Sequence, residues 1–316
     1  MSTAALTSLL RQWLARQALA PPPSSPVKAA LDHRLAGTLY HIKAPLGESD
    51  TLVCRSAWAD QLGAHLLRVE ALSRIWPREA PPPLIFKGAD LAENLYNDPG
   101  ARQARDLDLL VPPSAFDGLV RHLARSADQL ERPRHERFAH DREHAVGLRF
   151  GPLLIEVHAH PWPPHRGGPD GWCVWSRGVA GRLGDLPVLF PCPADRLLLW
   201  LGNMSKGAFL SDLGDLLDFV LISRRWTSRG EADALGLGLA LDVAQARLRL
   251  SGLAEGADAA IPGLNRWLPP PDAARASLPR LRAQVLKTWL AAPGARPAIV
   301  ARLVASWLRD PLQKKL

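Results

Sequence analysis

Two aspartates lie within an apolar segment, and this pairing restricts the fold more than any other feature of the sequence. The segment ARDLDLLV covers residues 104–111, with Asp106 and Asp108 on either side of one leucine. A short apolar run of this kind predicts a buried β-strand. Side chains alternate along a strand, so both carboxylates point to the same side of the sheet. Like charges beside a core cost free energy, so a positive group must meet them.

A later apolar segment carries a third acid. In LLIEVHAHPW, residues 153–162, apolar residues alternate with Glu156, His158 and His160. These three side chains therefore share one face of a predicted strand. If that strand lies beside the strand of Asp106 and Asp108, Glu156 completes a cluster of three carboxylates.

Paired carboxylates on a strand have three interpretations: a metal site, a general acid–base pair, or solvated acids on an edge strand. The leucines and valine around Asp106 and Asp108 disfavour a fully solvated edge. Mg²⁺ prefers one or two carboxylates together with water and substrate phosphates. A pair of metals bridged by such acids can hold the attacking and leaving oxygens of a displacement in line.

The segment LIFKGADL, residues 84–91, predicts a strand, a turn and the beginning of a helix. Gly88 follows the strand, and a glycine there allows the backbone to approach a phosphate closely. The free N–H groups at a helix start also favour anions. A plain tight turn is the alternative interpretation.

The pattern along the chain divides it into three parts. Residues 1–80 are predicted to be helical, and one helix in this part places Leu62, Leu66, Val69, Leu72 and Ile75 at helical spacing. Residues 81–190 follow the order strand, helix, strand, helix, strand, strand, which predicts a small mixed sheet. The last two strands form a hairpin around residues 151–152. Residues 191–316 return to helices, two of them within residues 193–226.

The composition narrows the classes of protein. The 39 Lys and Arg exceed the 31 Asp and Glu, giving a net charge of +8 that is scattered along the chain. This positive charge favours a polyanionic partner. Nucleic acid is one such partner, but the scattered charge does not favour it over the others. The three cysteines show no CxxC spacing, which argues against a zinc module and against disulfides and favours a cytoplasmic location. No apolar run approaches the roughly 18 residues of a membrane span, so no membrane partner is expected.

The stretch LIFKGADLAENLYNDPGARQARDLDLLV resembles the bacterial family of uncharacterised nucleotidyltransferases, within the superfamily that has the DNA polymerase β-type fold. The strand with Glu156 and His158 extends the resemblance in register. Ala89 and Asn203 depart from the residues usual in the family. The matching positions are Lys87, Gly88, Leu91, Ala92, Tyr96, Arg102, Asp106, Asp108, Leu110 and Val111.

The resemblance implies an α+β fold: a polymerase β-like core flanked by N-terminal helices and a C-terminal helical domain. It also implies transfer of a nucleoside monophosphate from a nucleoside triphosphate to an acceptor hydroxyl or phosphate, with Mg²⁺ or Mn²⁺ as cofactor. The acceptor classes are a peptide, a protein, a small molecule or an RNA end. By the resemblance, Asp106 and Asp108 bind the metal that bridges the triphosphate.

Further roles follow from the same resemblance. Glu156 would bind a second metal or act as a base toward the acceptor hydroxyl. Gly88 would hold the β- and γ-phosphates, and Lys87 and Arg102 would neutralise phosphate charge. Lys206, in the helical part, is a further nucleotide-binding candidate. His158 is expected to orient Glu156 through a hydrogen bond.

Two other hypotheses use the same residues. One is a nucleotide-binding or regulatory protein of this fold that has lost turnover. The other is a zinc-dependent hydrolase built on the pair His158 and His160, which requires ligands from other segments. The candidates for these additional ligands are His135, His140, His144 and His165.

Overall fold

A mixed sheet between helices forms the centre of the molecule in the computed structural model. The structure describes residues 3–131, 144–151, 153–162, 170–206, 212–226, 229–251 and 253. The strands are β1 (Leu84–Phe86), β2 (Leu107–Leu110), β3 (Gln129–Glu131), β4 (Ala145–Phe150), β5 (Leu153–His158), β6 (Val179–Leu183) and β7 (Leu186–Phe190). The helices are α1 (Thr3–Leu14), α2 (Val27–Asp32), α3 (Ala36–His41), α4 (Glu48–Ile75), α5 (Gly88–Leu91), α6 (Pro113–Leu123), α7 (Gly171–Ser176), α8 (Pro193–Lys206), α9 (Leu213–Ser223), α10 (Arg229–Ala234) and α11 (Gly238–Leu250), with a π-helical turn (Ala92–Tyr96) after α5.

The strand order in the sheet is β3-β4-β5-β2-β1-β7-β6. β2 runs antiparallel to β1 and parallel to β5, while β1 is parallel to β7. β4 and β5 form an antiparallel hairpin whose turn contains Gly151, as the sequence predicted. The strand of the aspartates and the strand of Glu156 are therefore neighbours at the centre of the sheet.

Period-two alternation divides the side chains of the central strands between two cores. Leu107, Leu109 and Val111 pack on one face with Ile155 and Val157. The apolar side of α6 covers this face, and it begins with a proline in the first turn, where the missing N–H costs nothing. On the opposite face, Leu84, Phe86 and Leu110 pack against Trp162 and Leu199. This second face also carries Asp108, because it alternates with its leucine neighbours.

The long helix α4 was predicted correctly as a helix, but its buried face was predicted only in part. Leu72 is fully buried, whereas Leu66 is exposed. The buried positions include Gln61, His65 and Arg68, which lie on the face that continues through Leu72. Gln61 and Arg68 lie beside the loop of residues 100–105, whereas Leu72 belongs to a core of the sheet, so the buried side of α4 is not uniformly apolar.

The helices before and after the sheet share one hydrophobic cluster. Leu6, Leu39, Leu201 and Phe219 belong to this cluster, so α1 and α3 share a core with α8 and α9. A capping box between Asp212 and Asp215 begins α9. The division into parts 1–80, 81–190 and 191–316 stays a prediction, and residues 254–316 lie outside the described part of the chain.

Three strands were not expected from the sequence. β3 follows α6 closely, and β6 and β7 form an edge hairpin after α7. β7 contributes the parallel partner of β1 through Leu189, which pairs with Leu84. Within the described residues, no helix has the length and apolar character that crossing a membrane requires.

Candidate active site

Asp108 and Glu156 are paired residues on neighbouring parallel strands. The register of β2 and β5 sets Asp108 opposite Glu156 and Leu110 opposite His158. Asp108 is 2% exposed, while the side chain of Glu156 is 35% exposed and opens to solvent. Two strands in register bring their same-face side chains within a few ångströms. The expected meeting of these two acids is therefore present in the fold.

His158 contacts both carboxylates. Its Nε2 lies 3.0 Å from Asp108 Oδ1 and 3.4 Å from Glu156 Oε2. One ligand atom from each of these three residues lies within 4.8 Å of the other two, so the cluster could hold a metal ion. Carboxylate oxygen and imidazole nitrogen are both ligands for divalent cations. The orienting role predicted for His158 stays a prediction, since its shorter contact is with Asp108.

Lys87 is the positive group that meets Asp108. Its Nζ donates a hydrogen bond to Asp108 Oδ1, directly beside the His158 contact. Lys87 occupies the turn between β1 and α5 with φ 56° and ψ −129°, a backbone conformation that a residue with a side chain rarely adopts. Such strain persists only where the surrounding structure enforces it, and it concentrates at functional sites.

The charges of the site act strongly on one another. Burial raises the pKa of Asp108, but Lys87 and His158 outweigh it and hold this pKa below its usual value. The His158 hydrogen bond lowers the pKa of Glu156 despite burial. Burial lowers the pKa of Lys87, yet the facing acids, Asp108 first, raise it above its usual value. The site therefore holds ionised carboxylates and a charged ammonium at neutral pH.

Asp106 lies at the edge of this cluster. It immediately precedes β2 and is half-buried. Burial and then the charge of Asp108 raise its pKa, with Lys87 acting in the opposite direction. Asp106 is absent from the three-residue group of metal-ligating atoms found in the described residues. Its predicted role as a metal ligand stays a prediction.

Gly88, the predicted phosphate turn, is buried at the first position of α5. A Cβ at this position would lie 2.9 Å from Ala104 Cβ and 3.1 Å from Arg102 Nη1. The glycine thus allows residues 102–104 to pack against the turn. The strained backbone belongs to Lys87 rather than to Gly88.

We expect Gly88→Ala to lower the free energy of unfolding by about 1–2 kcal/mol, because the added methyl overpacks the contact with Ala104. Urea denaturation would measure this change. Gly118→Ala in α6 is the matched control, since a Cβ at Gly118 meets nothing within 4 Å. That control should stabilise the helix by about 0.5–1 kcal/mol. Equal effects of the two substitutions would contradict the packing role of Gly88.

Arg102 is held by an ion pair that the sequence did not predict. Its Nη2 lies 2.7 Å from Asp218 Oδ2 in α9, and its Nη1 donates to the carbonyl of Gln103 at 2.8 Å. Tyr96 Oη donates to Asp218 Oδ1 at 3.0 Å. A nucleotide phosphate would have to compete with Asp218 for this guanidinium. Arg102 stays a predicted nucleotide-binding residue.

A small cavity of about 40 Å³ lies between Lys87, Arg102 and the helices α8 and α9. Ligand pockets usually have volumes of about 300–1,000 Å³, so a whole nucleotide does not fit there without movement of these helices. Asn203 lines the cavity. Lys206 is the last residue of α8, and its side chain lies outside what the structure describes.

The structure places His158 and His160, the pair of the zinc hypothesis, in different surroundings. His160 lies beyond the end of β5, and its Nδ1 is 3.4 Å from Asp170 Oδ1, apart from the acidic cluster. The rings of His144 and His158 have centroids 6.2 Å apart. His135, His140 and His165 lie outside the described residues.

Comparison with known proteins gives one family match. The model of the uncharacterised nucleotidyltransferase family matches residues 23–239, which is more than half of the chain and includes every residue of the cluster. No curated protein and no solved structure matches the chain. The protein belongs to the family of uncharacterised nucleotidyltransferases.

Proposed function

We propose that the protein transfers a nucleoside monophosphate from a nucleoside triphosphate to a hydroxyl or phosphate group of an acceptor. The observation that supports this proposal most directly is the pairing of Asp108 with Glu156 on neighbouring strands beside the Lys87 turn. The family of the chain agrees with it. The acceptor classes are those named from the sequence: a peptide, a protein, a small molecule or an RNA end.

We propose Mg²⁺ or Mn²⁺ as the metal that the cluster holds. Asp108 and Glu156 supply carboxylate oxygens within reach of one ion, and Asp106 is proposed to complete the set from the edge of β2. When bound, the metal would neutralise the charge that builds on the phosphate oxygens. His158 is proposed to hold the two carboxylates in place through its Nε2.

The protein side chains have separate tasks in the proposed reaction. The acceptor oxygen forms a bond to the α-phosphorus while the bond to the β-phosphate bridging oxygen breaks, and pyrophosphate leaves. The proton of an acceptor hydroxyl passes to a base, for which Glu156 is proposed if it does not bind the second metal. Lys87 stabilises charge on the leaving phosphates, and the turn at Gly88 positions them, because phosphoryl chemistry depends on positioning and electrostatics.

The Lys87–Asp108 contact also fits a second candidate function, a nucleotide-binding regulator without turnover. An ammonium bound to Asp108 already neutralises the carboxylate that a metal would need. In an active enzyme, Lys87 must move from Asp108 toward the phosphates when metal and nucleotide bind. The two functions therefore differ in whether turnover follows binding.

Incubation with each of the four α-³²P-labelled ribonucleoside triphosphates and MgCl₂, with and without cell extract, tests the proposal. We expect a labelled acceptor and release of pyrophosphate, both abolished by EDTA and restored by excess Mg²⁺ or Mn²⁺. Nucleotide-induced thermal stabilisation without any label transfer would favour the regulator. Absence of both signals would contradict the two functions together.

A further inference from the structure

A second and larger cavity lies between α3, α4 and the loop of residues 100–105. Its volume is about 470 Å³, within the range of small-molecule sites. Arg34, Gln61, Arg68 and Arg105 contribute to its wall. None of these four residues has a role in the proposed transfer, so the cavity calls for a separate explanation.

Two of the side chains in this wall are buried with polar atoms that have no partner. Gln61 is 8% exposed and Arg68 is 9% exposed. Within the described part of the chain, Gln61 Nε2 and Arg68 Nε and Nη1 have no hydrogen-bond partner. All three are donors, and a buried donor without an acceptor costs about 1–3 kcal/mol or more. Because these three atoms have almost no accessible surface, a ligand in the cavity would supply their acceptors only when the two side chains turn toward it.

The charge of the cavity defines the kind of acceptor. Among the residues that the structure describes, three arginines and one acid, Asp60, line the cavity. Arg34 is neutralised by Asp212 and Asp215 at 2.7 and 2.8 Å, whereas the guanidinium of Arg68 makes no ion pair in the described residues. A guanidinium presents its N–H groups in a planar fork that matches a carboxylate or a phosphate. An oxyanion would therefore complement the guanidinium of Arg68.

The cavity adjoins the candidate active site. Residues 102–104 pack against Gly88 on one side and contribute Gln103 and Ala104 to the cavity on the other. Arg105 in the wall directly precedes Asp106, and the charge of Asp106 acts on Arg68. One loop thus separates the proposed triphosphate turn from the cavity.

We propose that this cavity binds an oxyanion group, a phosphate or a carboxylate, of the acceptor substrate. The assignment to the acceptor rests on the proposed function, because the Gly88 turn and Lys87 already account for the phosphates of the nucleotide. The acceptor would lie across the loop of residues 102–105, with its reactive oxygen toward Asp106. A neutral acceptor would leave Arg68 without a partner.

Arg68→Met tests the site, with sodium phosphate and sodium succinate as probes and sodium chloride at matched ionic strength as the reference. We expect each probe to raise the melting temperature of the wild-type protein. In Arg68→Met, the apparent affinity for each probe should be weaker by at least about tenfold. Removing an unpaired buried charge should not destabilise the ligand-free protein. Arg74→Met is the matched control on the same helix, since Arg74 is exposed and pairs with Glu70.

Three results would overturn the proposal. The first is that phosphate and succinate raise the melting temperature of the wild-type protein no more than chloride does. The second is that they raise the melting temperature of Arg68→Met as much as that of the wild-type protein. Arg68→Met could also weaken binding of Mg-ATP as strongly as binding of phosphate, which would assign the cavity to the nucleotide. If Arg68→Met does not fold, Gln61→Leu is used in its place with the same expectations for probe binding.

Asp108→Asn separates this proposal from the proposed function. It should keep the response to phosphate and succinate that depends on Arg68, even where transfer is lost. Anion binding without any transfer in the wild-type protein would remove the assignment to the acceptor while leaving an oxyanion site. Transfer without anion binding at Arg68 would remove the site and leave the transferase.

Discussion

Asp108→Asn is expected to lower the rate of nucleotide transfer by at least about hundredfold. Asp108 is the carboxylate at the centre of the site, within reach of Glu156, His158 and Lys87. Loss of its charge would weaken metal binding, which contributes several kcal/mol of charge stabilisation in the transition state. Each 1.36 kcal/mol corresponds to a factor of ten in rate. Steady-state assays with saturating Mg²⁺ and nucleotide measure the change.

The same substitution leaves the ammonium of Lys87 without its acid partner. Removal of one member of a buried pair is destabilising. The double variant Lys87→Met with Asp108→Asn therefore serves as a control: it should recover part of the lost stability and none of the activity. Transfer within threefold of the wild-type rate in Asp108→Asn would remove Asp108 from the catalytic site. Asp106→Asn is expected to reduce transfer as well.

Asp218→Ala is expected to lower the free energy of unfolding by about 3 kcal/mol. Asp218 is 1% exposed, and its carboxylate accepts hydrogen bonds from Arg102 and Tyr96. Its removal would leave the Arg102 side chain, which is only 15% exposed, without its acid partner, and breaking a buried pair costs about 3–5 kcal/mol. The partial exposure of Arg102 places the expected value at the lower end of that range. Chemical denaturation monitored by tryptophan fluorescence measures it.

Asp233→Ala is the matched control for this prediction. Asp233 also pairs with an arginine, Arg229, but both side chains are exposed. An exposed pair contributes about 0–1 kcal/mol. Similar losses of stability in the two variants would show that the Arg102–Asp218 pair does not behave as a buried one. If Asp218→Ala lowers the free energy of unfolding by much less than about 3 kcal/mol, Arg102 does not depend on Asp218 and is available to a nucleotide.

Local patterns in the sequence predicted the parts of the site that depend on strand periodicity. Alternation alone placed Leu107 and Leu109 on one face and Asp108 on the other, and it grouped Glu156 with His158. These predictions succeed because a strand has only two faces and successive side chains alternate between them, even where both faces are buried. Helical spacing predicted the buried face of α4 only in part, because this face also buries polar side chains such as Gln61 and Arg68.

Contacts between distant segments depended on the tertiary structure. Arg102 and Asp218 are 116 positions apart, and no local pattern relates them. The contact of Lys87 with Asp108 requires the strained turn after β1, which the sequence Lys-Gly does not specify. The strands β7 and β6 extend the sheet beyond β1, in that order.

The sequence by itself thus determined the acidic face, the presence of a turn after β1 and the family resemblance, since each depends on residues close together in the chain. Only the tertiary structure decided which cation meets Asp108, which acid holds Arg102, and that Gln61 and Arg68 line a cavity. The physical reason is that period and propensity act over a few residues. Ion pairs and cavities form between segments that only packing brings together.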